Sequence, residues 1–161
     1  MIATLDSACG PLWISGNHDA VVGISWEPLE GALHQGELDW VLRPLEAYFA
    51  GSDKPFPGGL VFLKGQVLWA CTCREPVPET RSQEIMVAMT RIPYGATTTY
   101  GELGASVGNR NLARAVGAVC RANPLPVLVP CHRVVARASL GGFSAGISCK
   151  EFLLRLEGSL T

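Results

Sequence analysis

The chain has 161 residues, which is long enough to bury a core as one domain or as two small domains that share an interface. It contains no run of about 18 apolar residues, so the sequence excludes a helical membrane span. Its first six residues lack the basic flank that precedes the apolar core of a signal peptide. We therefore expect a cytoplasmic protein.

The net charge of −1 conceals a division between the two halves of the chain. Residues 1–80 hold four Lys or Arg against ten Asp or Glu, a net of −6, whereas residues 81–161 hold nine against four, a net of +5. A basic half suits a polyanion, because phosphate contacts supply most sequence-independent affinity for nucleic acid. The alternative is a chance imbalance, since +5 is not an extreme charge.

The acidic half predicts a small antiparallel sheet and one helix. Residues 1–35 alternate short apolar runs with turn residues, which indicates two or three strands. Residues 38–50 place apolar side chains at helical spacing, and Pro44 within them favours a kink or a later helix start. Two apolar runs within 60–71 predict a hairpin, and the two prolines of 75–79 predict a linker.

The basic half predicts mainly helices, over 82–91, 100–107 and 112–122. A Gly-containing turn separates the last two, which makes them a helix-turn-helix hypothesis. The alternative is a helix pair that binds nothing. The last helix is rich in small residues that allow close approach of another surface, although such residues usually indicate tight packing inside a protein.

An apolar run over residues 127–135 carries Cys131, His132 and Arg133 at its centre. The β-branched arms of this run predict a strand or a core segment, and Pro130 forces the chain to turn where the thiol is presented. Positive charge beside a thiol lowers its pKa and so makes a nucleophile. The alternative is a buried structural cysteine.

The sequence Pro130-Cys131-His132-Arg133-Val134 resembles the acceptor-cysteine motif of the O6-alkylguanine-DNA alkyltransferases. The likeness runs from about residue 91 to residue 157, and several motifs in family order are more specific than any one of them. These further motifs are Ile92-Pro93-Tyr94-Gly95, Thr99-Tyr100-Gly101-Glu102-Leu103, Ala113-Arg114-Ala115-Val116-Gly117, Asn123-Pro124 and Leu156-Glu157-Gly158.

The resemblance implies an α/β protein of two domains. Residues 1–78 would form a ribonuclease H-like supporting domain with an antiparallel sheet and a helix, and residues 79–161 a mainly helical domain with a winged helix-turn-helix. The implied partner is the minor groove of double-stranded DNA that contains O6-alkylguanine, with O4-alkylthymine as a second expected substrate. The family resemblance also implies a monomer that needs no cofactor and does not bind a membrane. Such a protein would be nucleoid-associated in a prokaryote or nuclear in a eukaryote.

The resemblance assigns the chemistry to four residues. Cys131 is the alkyl acceptor, and His132 matches the base that takes its proton through a water molecule. Glu157 matches the carboxylate that orients the imidazole, and Asn123 matches a hinge residue that braces the turn before the cysteine. Because the product is a thioether, each molecule would act once.

Other residues match the family's DNA contacts and base pocket. Arg114 matches the arginine finger that replaces the flipped nucleotide, with a phosphate contact or a solvated helix charge as the alternative. Tyr100 matches the tyrosine that rotates the nucleotide, with an aromatic core residue as the alternative. The minor-groove face would comprise Ala113, Ala115 and Gly117. The base pocket would comprise Val134, Phe143, Ser144 and Lys150.

Three other functions remain open, and the sequence departs from the family pattern at several positions, among them Arg81, Met86 and Ala145. The first is an alkyltransferase-like protein, which binds alkylguanine without accepting the alkyl group but lacks the acceptor cysteine. The second is a cysteine hydrolase, which would turn over repeatedly. The third is a DNA-architectural domain, which would show no thiol reactivity. Arg81 stands where the family usually has an aromatic residue. Cys71 and Cys73 are one residue apart, unlike a zinc knuckle, so we expect no metal.

Overall fold

The computed structural model describes residues 1–31, 33, 36–71 and 75–161. The chain divides into two compact units, Met1–Val77 and Pro78–Thr161. The first unit holds an antiparallel sheet and a helix, and the second holds mainly helices. The fold is therefore of the expected α/β class.

The first unit contains a five-stranded sheet in the order β1-β2-β3-β5-β4, in which all neighbouring strands are antiparallel. Its strands are β1 (Ile2–Ser7), β2 (Gly10–Gly16), β3 (Ala20–Ser25), β4 (Gly59–Leu63) and β5 (Gln66–Ala70). The three early strands and the later hairpin were both predicted and are confirmed. Residues 34 and 35, at the end of the first predicted stretch, lie outside the described residues, as does Cys73.

Helix α1 (Asp39–Phe49) completes the first unit and follows a 3-10 turn at Gly36–Leu38. It begins ahead of Pro44, so a later start, one of the two predicted effects of this proline, is wrong. Proline removes one helical hydrogen bond. The buried apolar residues of α1 lie both before Pro44, as Leu42 does, and after it, as Leu45 does. Their burial offsets the loss of that hydrogen bond.

The second unit consists of four α-helices and short connecting elements. These are α2 (Arg81–Thr90), β6 (Thr98–Thr99), α3 (Tyr100–Ser106), a 3-10 turn at Arg110–Leu112, α4 (Ala113–Arg121), a 3-10 turn at Cys131–Arg133, β7 (Val134–Val135) and α5 (Ile147–Leu156). The three predicted helices are confirmed to within one residue or one 3-10 turn at each end. Strands β6 and β7 pair in parallel.

The apolar run before Cys131 is a buried core segment and not a strand. Val127, Leu128 and Val129 are each at most 3% exposed. Val127 has a φ of 76°, a value that a β-branched side chain rarely adopts and that interrupts an extended conformation. Only the arm after the thiol forms a strand, β7.

Helices α3 and α4 pack closely across the turn between them. Thr99 caps α3 through a capping box with Glu102. A Cβ on Gly104 would lie 2.9 Å from the carbonyl oxygen of Asn109, so only glycine allows this approach. The short turn and the small residue together fix the second helix against the first.

Arg81 holds the start of α2 against the end of α3. Its Nη1 donates to the carbonyl oxygen of Val107 and pairs with Glu84 over 2.6 Å. The guanidinium therefore joins α2 to the end of α3 by hydrogen bonding. Within the described part of the chain, no helix has the length and apolar character to cross a membrane.

Candidate active site

A 3-10 turn presents Cys131 from the end of the buried segment. The backbone N–H of Cys131 donates to the carbonyl oxygen of Val129 over 2.8 Å, and that of Arg133 donates to the carbonyl oxygen of Pro130 over 3.0 Å. Cys131 is only 3% exposed. Because Pro130 cannot continue a ladder of hydrogen bonds, the segment turns here and holds the thiol in one position.

Asn123 braces this turn through both ends of its amide. Its Nδ2 donates to the carbonyl oxygen of Val129 over 2.9 Å and to the Sγ of Cys131 over 3.1 Å. Its Oδ1 accepts from the backbone N–H of Leu125 over 3.0 Å. The side chain therefore contacts the reactive sulfur directly as well as the backbone that carries it.

The protonation of Cys131 differs from the sequence-based expectation. Burial raises the pKa of the Cys131 thiol above its ordinary value, although the Asn123 hydrogen bond and the Lys150 charge oppose this increase. The expectation that the neighbouring guanidinium would lower this pKa is wrong. The reason is that the Arg133 guanidinium binds Glu157 and a backbone carbonyl oxygen instead of the thiol.

Glu157 is the common acceptor of the residues that follow the thiol. Its Oε1 accepts from the Nε2 of His132 over 2.7 Å and from the Nη2 of Arg133 over 3.0 Å. Its Oε2 accepts from the Nε of Arg133 over 2.8 Å. The carboxylate and the imidazole are fully buried, so Glu157 fixes the ring of His132 in one orientation.

The imidazole of His132 is held neutral. Burial lowers the pKa of His132 below its ordinary value, while the hydrogen bond and the charge of Glu157 act in the opposite direction. With the Nε2 hydrogen donated to Glu157, Nδ1 is the basic nitrogen of the ring. The arrangement can therefore accept a proton at one defined atom.

A cavity of about 780 Å³ opens onto Cys131 within the second unit. Helix α4 forms one side of it, and the loop before α5 forms another. The lining residues are Tyr100, Ala113, Arg114, Gly117, Ala118, Cys120, Arg121, Cys131, Gly142, Phe143 and Ser144. A cavity of this size holds a molecule as large as a nucleobase.

Tyr100 packs against the loop that closes the cavity. A Cβ on Gly141 would lie 2.6 Å from the Tyr100 hydroxyl oxygen, and Gly141 has a φ of 73°, so this position requires glycine. Burial, followed by the charge of Cys120, raises the pKa of Tyr100. The phenol therefore remains protonated at neutral pH and can donate a hydrogen bond.

Several of the predicted residues do not line the cavity. Lys150 and Val134 are 0% exposed, and the Nζ of Lys150 donates to the carbonyl oxygen of Val134 over 2.6 Å and to that of Gly142 over 3.1 Å. Burial lowers the pKa of Lys150. Lys150 thus supports the wall from behind by joining β7 to the loop, and Ala115 is likewise not a lining residue.

Two lining residues of α4, Cys120 and Arg121, were not predicted from the sequence. Helical periodicity contains the signal for them. Residues four, seven and eight positions after Ala113 lie on the same face of a helix, and these are Gly117, Cys120 and Arg121. The family motif that includes Arg114 ends at Gly117 and so does not cover the last turn of α4.

The described residues contain no group of three or more His, Cys, Asp or Glu side chains that could hold a metal ion. The thiol of Cys131, the amide of Asn123, the imidazole of His132 and the carboxylate of Glu157 lie together at the site. Its chemistry is that of a nucleophile with a nearby base.

The second unit matches a family model described as the 6-O-methylguanine DNA methyltransferase, DNA binding domain, over residues 80–159. The whole chain is 34% identical to a methylated-DNA–protein-cysteine methyltransferase of Methanosarcina acetivorans, over 98% of this chain and 97% of the relative. The chain belongs to the methylated-DNA–protein-cysteine methyltransferase family. A methylated-DNA–protein-cysteine methyltransferase of Salmonella typhimurium is 36% identical to this chain, over 94% of this chain and 91% of that relative.

Solved structures agree with this membership. The crystal structure of Mycobacterium tuberculosis OGT in complex with DNA is similar with a TM-score of 0.79 and 30% identity, over 98% of this chain and 92% of that chain. The family match also confirms the resemblance drawn from the acceptor-cysteine motif. The DNA-binding domain of the family coincides with the unit that carries Cys131.

Proposed function

We propose that this protein repairs DNA by moving an alkyl group from the O6 of guanine to its own Cys131, once per molecule. The observation that carries this proposal is the position of Cys131, which lines a cavity of nucleobase size and is followed by the buried pair of His132 and Glu157. Family membership over nearly the whole chain supports the same activity.

The transfer is a displacement at the alkyl carbon. His132 takes the thiol proton, directly or through a water molecule, and the sulfur of Cys131 forms a bond to that carbon. The bond between the carbon and O6 breaks, and its electron pair returns to guanine. The proton on His132 balances this charge when guanine leaves as a neutral base. Glu157 stabilises the transient imidazolium.

The product is a thioether, which water does not readily hydrolyse. No step restores the thiol, so the protein acts as a stoichiometric reagent. This outcome separates the proposal from a cysteine hydrolase, which forms a thioester that water cleaves. The presence of Cys131 separates it from an alkyltransferase-like binding protein.

The target carbon is inaccessible inside a base stack, so the nucleotide must flip out. We assign Arg114, which is exposed at the mouth of the cavity, to the space that the nucleotide vacates. Tyr100 would crowd the neighbouring phosphate and donate to the base. Phe143 and Ser144, on the opposite wall, would hold the flipped base.

The DNA surface that we propose is the cavity-facing side of α4. Ala113, Gly117 and Ala118 have small side chains there, which suits close approach to a minor groove. Arg121 lies beside them and is exposed, which suits a phosphate contact. The two helices α3 and α4 would act as a winged helix-turn-helix that uses the minor groove, with little preference for base sequence.

The first unit would act as a ribonuclease H-like supporting domain. Its net charge is negative, so it is not suited to phosphate contacts. We propose that the protein binds DNA as a monomer through residues 79–161 alone.

The test uses a duplex with a radiolabelled methyl group on the O6 of one guanine. The wild type should acquire one equivalent of label per molecule and then stop, and Cys131→Ser should acquire none. Label released to solution in repeated turnovers would support a hydrolase instead. Tight binding by the wild type with no label acquired would support a binding protein.

A further inference from the structure

A second cysteine lines the same cavity as the acceptor. Cys120 lies in the last turn of α4 and is half-buried, and its side chain faces the space that Cys131 also faces. Its Sγ contacts the Sδ of Met89 over 3.6 Å. Met89 lies on α2, is 0% exposed and belongs to the core of the unit.

Cys120 is less suited than Cys131 to accept an alkyl group, because the Asn123 amide donates to the sulfur of Cys131, whereas the Sγ of Cys120 contacts a methionine. Burial, followed by the charge of an ionised Cys131, raises the pKa of Cys120 to about 12, so its thiol stays protonated at neutral pH. Only the thiolate is an effective nucleophile. Cys120 therefore acts in the cavity as a small, weakly polar surface.

The alkyl group must occupy the space beside Cys131 during transfer, because its first carbon bonds to that sulfur. The walls near this space differ in how far they can yield. Tyr100 is fixed against the loop at Gly141, which has no room for even one more carbon. Cys120, by contrast, is small and is supported by methionine, whose three rotatable bonds let it adapt to a change in volume.

We propose that Cys120, with Met89 behind it, is the specificity-determining residue that sets how large an alkyl group this protein accepts. The inference rests on the proposed transfer to Cys131 and adds the residue that controls its range. A larger side chain at position 120 should exclude bulky groups while methyl still fits. A smaller one should admit them.

The experiment compares single-turnover rates for duplexes that carry O6-methylguanine or O6-benzylguanine. Cys120→Met should lower the benzyl-to-methyl rate ratio about ten-fold or more, the range expected when a pocket rejects added bulk. Cys120→Ala should hold or raise the ratio. If the wild type already rejects the benzyl group, Cys120→Ala should begin to transfer it.

A matched control lies two residues further on. Ala122 is exposed and is not a lining residue of the cavity, so Ala122→Met adds the same bulk outside it and should leave the ratio unchanged. If Cys120→Met does not fold, Met89→Leu stiffens the support with Cys120 intact and should lower the ratio in the same direction. Circular dichroism verifies the fold of each variant.

The outcomes separate this inference from the proposed function. A wild type that transfers neither group contradicts the proposed function. A wild type that transfers methyl, with a ratio that none of the substitutions at positions 120 and 89 changes, overturns the role of Cys120 alone. Equal changes in Cys120→Met and Ala122→Met would also overturn it.

Discussion

His132 and Glu157 are joined by a hydrogen bond of 2.7 Å between Nε2 and Oε1, and both side chains are fully buried. Arg133, the next residue along the chain, binds the same carboxylate through two nitrogens. One acidic side chain therefore fixes both residues that follow the acceptor thiol. Its removal should affect stability and chemistry together.

Glu157→Gln should destabilise the protein by about 3–5 kcal/mol, because it leaves the buried Arg133 guanidinium without a negative partner. The alkyl-transfer rate should fall as well, since a neutral amide does not stabilise the imidazolium of His132. Urea unfolding and single-turnover kinetics measure the two effects. A variant with wild-type stability would contradict the role of the carboxylate.

The control for this substitution lies on α5, the helix that ends directly before Glu157. Glu151 pairs with Arg155 over 2.9 Å, but their side chains are 41% and 51% exposed. Exposed ion pairs contribute little because water screens them, so Glu151→Gln should change the free energy of unfolding by less than about 1 kcal/mol. Equal effects of the two substitutions would show that burial at Glu157 is irrelevant.

The transfer rate should be nearly constant at neutral pH, where neutral His132 takes the proton of the Cys131 thiol, and should rise only where alkaline pH ionises the thiol directly. Burial raises the pKa of the Cys131 thiol, so direct ionisation adds to the thiolate only in the alkaline range. Burial lowers the pKa of His132, so the imidazole is already neutral at neutral pH and adds no inflection near its ordinary pKa of about 6.5. Single-turnover rates across pH test this profile.

Asn123→Ala provides the matched comparison for that profile. Its amide donates to the Sγ of Cys131 over 3.1 Å and so favours the thiolate. Without it the pKa of Cys131 should rise further, and the alkaline rise in rate should shift to higher pH. An inflection near pH 6.5 in the wild type, or no shift in Asn123→Ala, would contradict these assignments.

Arg114→Ala should slow transfer from a duplex about ten- to hundred-fold while sparing transfer from single-stranded DNA. The reason is that only a duplex needs the vacated stack filled, at a cost of a few kcal/mol. Arg137→Ala is the control, since Arg137 is exposed and is not a lining residue of the cavity. If Arg114 is instead a phosphate contact, binding weakens and the salt slope falls by about one.

The alkylated protein should be less stable than the unreacted one. Cys131 is 3% exposed and its sulfur accepts from Asn123, so a methyl group there both overfills the site and disturbs that hydrogen bond. Overpacking costs about 1–3 kcal/mol, which lowers the melting temperature by several degrees, about 2–10 °C for a protein of this size. Calorimetry before and after reaction measures the difference, and equal melting temperatures would count against it.

The sequence predicted the helices of the second unit because their apolar side chains repeat with helical spacing, as in Leu112, Val116 and Val119. It did not predict the left-handed backbone of Val127, because neighbouring residues do not reveal that conformation. The sequence also did not predict that the pKa of the Cys131 thiol is raised. Burial by residues that are distant in sequence decides that pKa, and the sequence does not show which residues cover the thiol.

The central claim is that Cys131 itself receives the alkyl group. The most direct measurement is the mass of tryptic peptides after reaction with a duplex that contains O6-methylguanine. Trypsin cuts after Arg114, Arg121 and Arg133, so Cys120 and Cys131 fall in different peptides, 115–121 and 122–133. We predict one added methyl group, on Cys131 in peptide 122–133. A methyl group on Cys120, or no methyl group on either peptide after the lesion has gone, would contradict the claim.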